Sequence, residues 1–139
     1  MPVSQQLDVH SALVYTMVLA SAADSEMTSP EVGVMAEIIK LLPVFQGYDL
    51  ATLSDTAAGC AELLADENGI DMALELIDKA LPEKMRETAY ALAVDVVAAD
   101  GTASQEELRL LEMLRHKIGV GRLEAAAIER GAGARFRKL

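Results

Sequence analysis

One acidic phrase occurs twice in the chain at a separation of 76 residues, each time between two apolar segments with helical spacing. The first copy spans Ala23 to Val32 and the second spans Ala99 to Leu108. Both follow the pattern Ala-Asp-x-x-x-[Thr/Ser]-x-x-Glu-[apolar], and the apolar positions stay in register beyond it. Self-similarity at a fixed offset is the signature of an internal duplication. The sequence therefore predicts two similar helix–loop–helix units related by a pseudo-two-fold axis.

The apolar residues recur every three or four positions, and no segment alternates as a strand does. The first helix, from about Leu7 to Ala23, is too densely apolar for the surface and is predicted to lie at the centre. We expect one all-α domain of about seven helices over residues 1–139, with a core of about 8–130 and a short basic tail at 131–139. The other six helices are predicted at about 28–42, 49–66, 72–81, 83–99, 104–118 and 122–129.

The net charge of −10 is unevenly distributed along the chain. Residues 1–80 hold thirteen acidic residues and two lysines, a net charge of −11, whereas residues 81–139 have a net charge of +1. A field of this sign repels nucleic-acid phosphates and attracts cations or basic partners. We expect no nucleic-acid binding, and we interpret the basic segment from Arg135 to Lys138 as a solvated tail.

Other features of the chain bear on where the protein works. The lone cysteine, Cys60, cannot form an internal disulfide, which favours a reducing cytoplasm. The N-terminus lacks the basic and then apolar segments of a signal peptide. No apolar stretch approaches the ~18 residues of a membrane span, so we expect a cytoplasmic protein without membrane insertion.

Each acidic phrase places an aspartate just past one helix and a glutamate seven residues later, in the first turn of the next helix. Carboxylate and backbone oxygens in loops of this kind hold hard cations such as Ca²⁺ and Mg²⁺. Acidic residues of these loops whose equivalent position in the other copy is not acidic are secondary candidates. The candidate metal ligands are Asp24, Glu31, Asp100 and Glu107, with Glu26 and Glu106 as the secondary pair.

The second phrase overlays the last eight positions of an EF-hand loop, with Glu107 at the final position, where EF-hands use a bidentate glutamate. The earlier EF-hand ligand positions fall on Val96 and Ala98, which have no side-chain oxygen. An autonomous EF-hand site is therefore disfavoured. A metal here would need acids from both loops, ligands from elsewhere, or several water molecules.

Helix capping explains part of the same pattern without a metal. Thr28 with Glu31, and Ser104 with Glu107, have the spacing of capping boxes, and a cap contributes about 1 kcal/mol. The aspartates can accept hydrogen bonds from backbone amides in tight turns. From the residues alone, capping without metal is the favoured interpretation and metal binding is the alternative.

The stretches Leu13–Glu31 and Ala93–Leu111, with the phrase Ala-Ala-Asp-Gly-x-x-x-x-Glu-Glu in the second, resemble the tellurite-resistance TerB family. The resemblance covers about residues 8–130. It implies a bacterial, seven-helix protein with internal duplication, associated with tellurite resistance and wider stress responses. It also implies divalent-metal binding by the acids that follow the first and fifth helices, here Asp24, Glu31, Asp100 and Glu107. Ser25 stands where the motif prefers glycine, which makes the first turn less permissive.

With this resemblance, the favoured function is a non-enzymatic, divalent-cation-binding stress-response module that acts on a protein partner and forms a possible homodimer. The first alternative is a metal-independent acidic scaffold that docks a basic partner. The second is an enzyme with a di-metal carboxylate site, which is disfavoured because the chain lacks Glu-x-x-His pairs.

Three further residues are candidate functional groups. Asp95, inside the apolar fifth helix, is predicted to pair with Arg86 or Arg115, with metal ligation as the alternative. Cys60 lies on an apolar helical face and is predicted to be a buried, inert thiol. His10 lacks a partner at metal-ligand spacing and is predicted to serve packing or the surface.

Overall fold

The computed structural model describes residues 6–21, 29–101 and 103–139. Within these ranges the chain forms seven α-helices and no β-strand, which confirms the all-α prediction. The relation of the two halves by internal symmetry stays a prediction. The helices are α1 (Val9–Ser21), α2 (Ser29–Lys40), α3 (Leu53–Leu64), α4 (Gly69–Ala80), α5 (Arg86–Ala99), α6 (Gln105–Ile118) and α7 (Arg122–Arg135).

Helices α1 and α5 form the centre of the molecule. Five apolar α1 side chains have no exposed surface, and α1 packs against α3, α4, α5 and α6. Each fully buried large aliphatic side chain contributes roughly 1.5–3 kcal/mol, so α1 contributes substantially to the stability of the core. The prediction of a central first helix is confirmed. These five residues are Ala12, Leu13, Val14, Met17 and Val18.

Local capping sets several helix ends. The Ser11 amide donates to Asp8 Oδ1 at 2.7 Å, which starts α1 and lowers the pKa of Asp8. Asp49 caps through the Ala51 amide at 3.0 Å, but the turn that it opens is 3₁₀ and leads into α3. Gly119 ends α6 in the left-handed region at φ 73°, as the sequence predicts.

Helix α7 is longer than the sequence predicts. It runs to Arg135, six residues beyond the predicted end at Glu129. Gly131 and Gly133 do not end the helix because Ala132, between them, is 1% exposed and belongs to the core. Tertiary packing here outweighs the unfavourable helix propensity of glycine, about 1 kcal/mol per residue.

A single guanidinium joins the start of α5 to the ends of α4 and α6. Arg86 donates to Asp78 Oδ1 at 2.5 Å and to the Asp78 carbonyl at 2.8 Å. It also donates to the carbonyl oxygens of Leu81 at 3.0 Å and Ile118 at 3.2 Å. Carbonyls in the last turn of a helix lack intrahelical donors, so Arg86 satisfies groups that would otherwise need water. Arg86 therefore pairs with Asp78, and the predicted pairing with Asp95 is wrong.

We expect Arg86→Gln to lower the free energy of unfolding by about 1.5–3 kcal/mol, because charged hydrogen bonds to three residues are lost. Urea denaturation measures the change. Arg109→Gln is the matched control, since Arg109 is exposed, and it should stay within about 0.5 kcal/mol of the wild type. Equal midpoints for the two variants would show that the Arg86 network does not stabilise the fold.

Candidate functional site

The structure describes the predicted site only in part. Asp24 and Glu26 lie outside the described residues, as does the predicted cap Thr28. The first loop is therefore represented by Glu31, whereas the second loop is described from Asp100 onwards with the exception of residue 102.

A tight turn carries the chain out of α5 into the second acidic loop. The amide of Asp100 donates to the Val97 carbonyl at 3.2 Å, and the amide of Gly101 donates to the Ala98 carbonyl at 3.1 Å. Gly101 has φ 92°, a conformation that side chains with a Cβ rarely adopt. The turn leaves the Asp100 carboxylate exposed at the C-terminal end of α5.

A reciprocal capping box starts α6, as the sequence predicts. Ser104 Oγ accepts from the Glu107 amide at 3.1 Å, and Glu107 Oε1 accepts from the Ser104 amide at 2.8 Å. Glu107 is only 8% exposed, although it is charged. The cap therefore gives this nearly buried carboxylate a structural role that needs no metal.

Capping uses only one of the two carboxylate oxygens. Oε2 of Glu107 has no hydrogen bond to a described residue, and it is not among the fully buried polar atoms that lack a partner. This oxygen therefore reaches solvent. A bidentate glutamate, as in an EF-hand, would compete with the cap for Oε1, whereas monodentate ligation through Oε2 is compatible with it.

Glu31, the counterpart of Glu107 in the first loop, connects two helices. Its Oε2 accepts from Ser21 Oγ at 3.1 Å, which ties the end of α1 to the first turn of α2. The position that matches Ser21 in the second copy is Val97, which has no hydroxyl group. The two glutamates thus correspond in sequence, but this side-chain bond belongs to the first copy alone.

Among residues 6–21, 29–101 and 103–139, no three His, Cys, Asp or Glu side chains converge as a metal-binding group. Asp100 and Glu106 are both exposed, and neither forms a salt bridge with a described residue. The described part of the second loop thus offers the carboxylates of Asp100 and Glu107 as primary candidate ligands. It does not surround a cation with protein ligands.

Comparison with known proteins gives the family. The family model described as "Tellurite resistance protein TerB" matches residues 10–130, which is most of the chain. The chain belongs to the TerB family. No curated protein and no solved structure matches it.

Asp95 of this TerB-family chain forms an ion pair, but with a different arginine from those predicted. Its Oδ1 lies 2.7 Å from Arg135 Nη2, on the extension of α7. Burial raises the pKa of Asp95, and the guanidinium of Arg135 opposes that rise. Arg115 instead donates to the Val120 carbonyl at 3.2 Å.

The remaining single residues are structural. Burial raises the pKa of Cys60 to about 12, in agreement with the predicted inert thiol. His10 Nε2 lies 2.8 Å from the Val44 carbonyl, and its ring stacks on Phe45 at a centroid distance of 5.3 Å. The predicted packing role of His10 is confirmed.

A groove between α5, α6 and α7 adjoins the second loop, and the sequence did not predict it. Its volume is about 480 Å³, and Gly101 and Phe136 both line it. Beneath them, Tyr90 donates to Glu129 Oε2 at 2.6 Å, and burial with this bond raises the pKa of Tyr90. The residues come from three helices, so no local pattern in the sequence marks the groove.

Within the described residues, no helix combines the length and the apolar character needed to cross a membrane.

We expect Ser104→Ala to lower the free energy of unfolding by about 1 kcal/mol, because the variant loses half of the capping box. Ser104→Thr keeps the hydroxyl group and serves as the control, with a change of only a few tenths of a kcal/mol. Urea denaturation compares the two. An alanine variant as stable as the threonine variant would contradict the role of the cap.

We expect the Cys60 thiol to react with Ellman's reagent at pH 8 at least about a hundredfold more slowly in the native protein than in urea, because only the thiolate reacts. The raised pKa keeps the folded thiol protonated until the pH approaches about 12, whereas unfolding restores an ordinary pKa. Similar rates in the two states would mean that this thiol is accessible and ionised in the fold.

Proposed function

We propose that this TerB-family chain is a non-enzymatic module that binds a divalent cation, Ca²⁺ or Mg²⁺, in a tellurite-resistance or general stress system. The geometry of the second acidic loop supports this proposal. There an exposed Asp100 follows a glycine-dependent turn out of α5, and Glu107 keeps one oxygen at solvent while the other caps α6. Family membership supports the tellurite-resistance context.

The chemistry of the donor groups agrees with a hard cation that keeps part of its water shell. Mg²⁺ commonly takes one or two carboxylates and retains several waters, and Ca²⁺ also takes carboxylate and carbonyl oxygens. Asp100 and Glu107 supply two carboxylates, and Asp24 and Glu31 are the matching pair in the first loop. The carbonyl end of α5 adds the negative end of a helix dipole beside Asp100.

In this proposal, the cation acts on the angle between successive helices. It would neutralise the carboxylates and hold α5, the turn and the first turn of α6 together. Leu108, next to Glu107, is 49% exposed, so apolar surface adjoins the loop. A protein partner, or a second copy of the chain, would recognise that surface when the loop is occupied.

A second candidate function is a metal-independent acidic scaffold. The capping box favours it, because it accounts for Glu107 without a cation. The net charge of −11 over residues 1–80 would then attract a basic partner directly. This candidate requires partner binding that weakens with salt and does not respond to a chelator.

We expect Glu107→Gln and Asp100→Asn each to weaken Ca²⁺ or Mg²⁺ binding by at least about tenfold, because each removes one negative charge from the ligand set. Glutamine at this position keeps the acceptor of the capping box, so Glu107→Gln separates the cation site from the helix cap. Calorimetric titration of chelator-treated protein measures the affinity, and urea denaturation verifies the fold.

Glu83→Gln is the matched control, since Glu83 is exposed and lies at the opposite end of α5. It should bind the cation as the wild type does. A folded wild type that binds neither cation would contradict the proposal and leave the scaffold as the function to pursue. Saturable binding that survives in the Asp100→Asn/Glu107→Gln double variant would move the site away from the second loop.

A further inference from the structure

The groove between α5, α6 and α7 runs along the surface of α5. Helices α6 and α7 both pack against α5 but make little contact with each other, and the groove lies between them. The part of α5 that lines it extends from Tyr90 to Ala98, which is about 12 Å of helix. Val94 and Val97 lie between these two residues and also line the groove, so its floor is largely apolar.

Apolar side chains continue onto both walls of the groove. Leu111 of α6 and Ala132 of α7 line it and are buried. Leu108 and Phe136 also line it, but they are 49% and 36% exposed. Exposed apolar side chains beside an apolar groove are typical of a surface that binds another molecule.

The charged residues of the groove are two acids and one arginine. Glu112 of α6 and Glu129 of α7 line opposite walls, and both are exposed. Neither carboxylate forms a salt bridge with a described residue, although one oxygen of Glu129 accepts from Tyr90. Arg115 is the cation among the described lining residues, and its guanidinium donates to the Val120 carbonyl. The charge of the groove therefore favours an occupant that carries positive charge.

The shape of the groove fits the apolar face of a helix. In an amphipathic helix, apolar side chains at i, i+3 or i+4, and i+7 form a stripe about 10 Å long, close to the length of the α5 floor. The groove is open to solvent and has helical walls, so a further helix can lie along it. A small ligand is normally buried over most of its surface, which an open groove does not provide.

We propose that this groove binds an amphipathic helix of a partner protein in which lysine or arginine flanks the apolar stripe. The apolar side chains of the partner pack on the floor and walls, and its basic residues face Glu112 and Glu129. The inference goes beyond the proposed function, because none of these contacts involves a cation and cation binding by the second loop does not depend on them.

Fluorescence anisotropy with a labelled model peptide tests this inference on the full chain, in the presence of a chelator. The peptide is an alanine-rich helix of about 16 residues, with leucines at i, i+3 and i+7 and a pair of lysines one turn beyond. We expect saturable micromolar binding, lost when alanine replaces the leucines. Glutamate in place of the lysines should weaken binding at least about fivefold, because it reverses the charge that faces the two acids.

Gly133→Leu places a side chain in the groove and should weaken binding of the lysine peptide at least about tenfold by steric exclusion. The nearest side-chain atom to a Cβ built on Gly133 is Nη2 of Arg137, at 4.0 Å, and leucine favours a helix more than glycine does, so the fold accepts the change. Gly33→Leu in α2 is the matched control. A Cβ at Gly33 meets no described atom within 4 Å, and Gly33 does not line the groove, so the affinity should change less than about twofold.

A reversal of charge tests the role of the acids. We expect Glu112→Lys to bind the lysine peptide at least about fivefold more weakly than the wild type does, and the glutamate peptide more tightly. Glu62→Lys makes the same change at an exposed site on α3 and should leave both affinities within about twofold of the wild type.

Four results would overturn the inference. A folded wild type that does not bind the lysine peptide would show that the groove does not receive such a helix. Equal affinities of Gly133→Leu and Gly33→Leu would place the peptide elsewhere, and equal affinities for the lysine and glutamate peptides would contradict the role of charge. Self-association of the wild type that disappears in Gly133→Leu, measured by sedimentation, would make a second copy of the chain the occupant. The cation titrations of Asp100→Asn test the proposed function separately from all of these.

Discussion

The contact between α1 and α5 is the constraint on which the other features of this protein depend. Both helices are apolar around most of their circumference, and they pack more extensively on each other than any other pair does among the described helices. A helix in that position can carry charge only at its ends or in an ion pair, as Asp95 does with Arg135, because an unpaired buried charge costs several kcal/mol. The acidic residues of both phrases accordingly follow these two helices in the sequence, beyond Ser21 and beyond Ala99.

The second loop shows that capping and cation binding are compatible roles for one glutamate. A helix cap contributes about 1 kcal/mol, and a tenfold change in cation affinity corresponds to about 1.4 kcal/mol. Because these energies are similar, energy alone does not decide which role Glu107 has. Geometry is more informative. Oε1 of Glu107 accepts from the Ser104 amide, and Oε2 reaches solvent. A side chain fixed in this way offers one oxygen at a defined place, which lowers the entropic cost of holding a ligand.

Two arginines of the C-terminal half join helices. Arg86 ties α5 to the ends of α4 and α6, and Arg135 ties α7 to α5.

The amino-acid sequence alone determined the helix content, the central place of α1, the capping box at Ser104 and the glycine that ends α6. Each of these depends on residues within about four positions of one another, or on the apolar density of one segment, and such patterns are visible along the chain. The phrase shared with the TerB family also indicated the family, and the match over residues 10–130 confirms it. Metal ligation by the acidic loops stays a prediction, because the groups that lie near these acidic side chains depend on how the chain folds around the two loops.

Only the tertiary structure decided which charges meet and where the last helix ends. Asp95 pairs with Arg135, 40 positions away, and Arg86 reaches the carbonyl of Ile118, 32 positions away. Side chains this far apart in sequence have many partners of suitable charge, and only the packing of α5 against α6 and α7 selects among them. The same packing carries α7 through two glycines and brings Phe136 to the groove that Gly101 also lines. Helix propensity opposes glycine inside α7, and no local pattern in the sequence indicates where Phe136 lies. The burial of Ala132 and the position of Phe136 are properties of the folded chain.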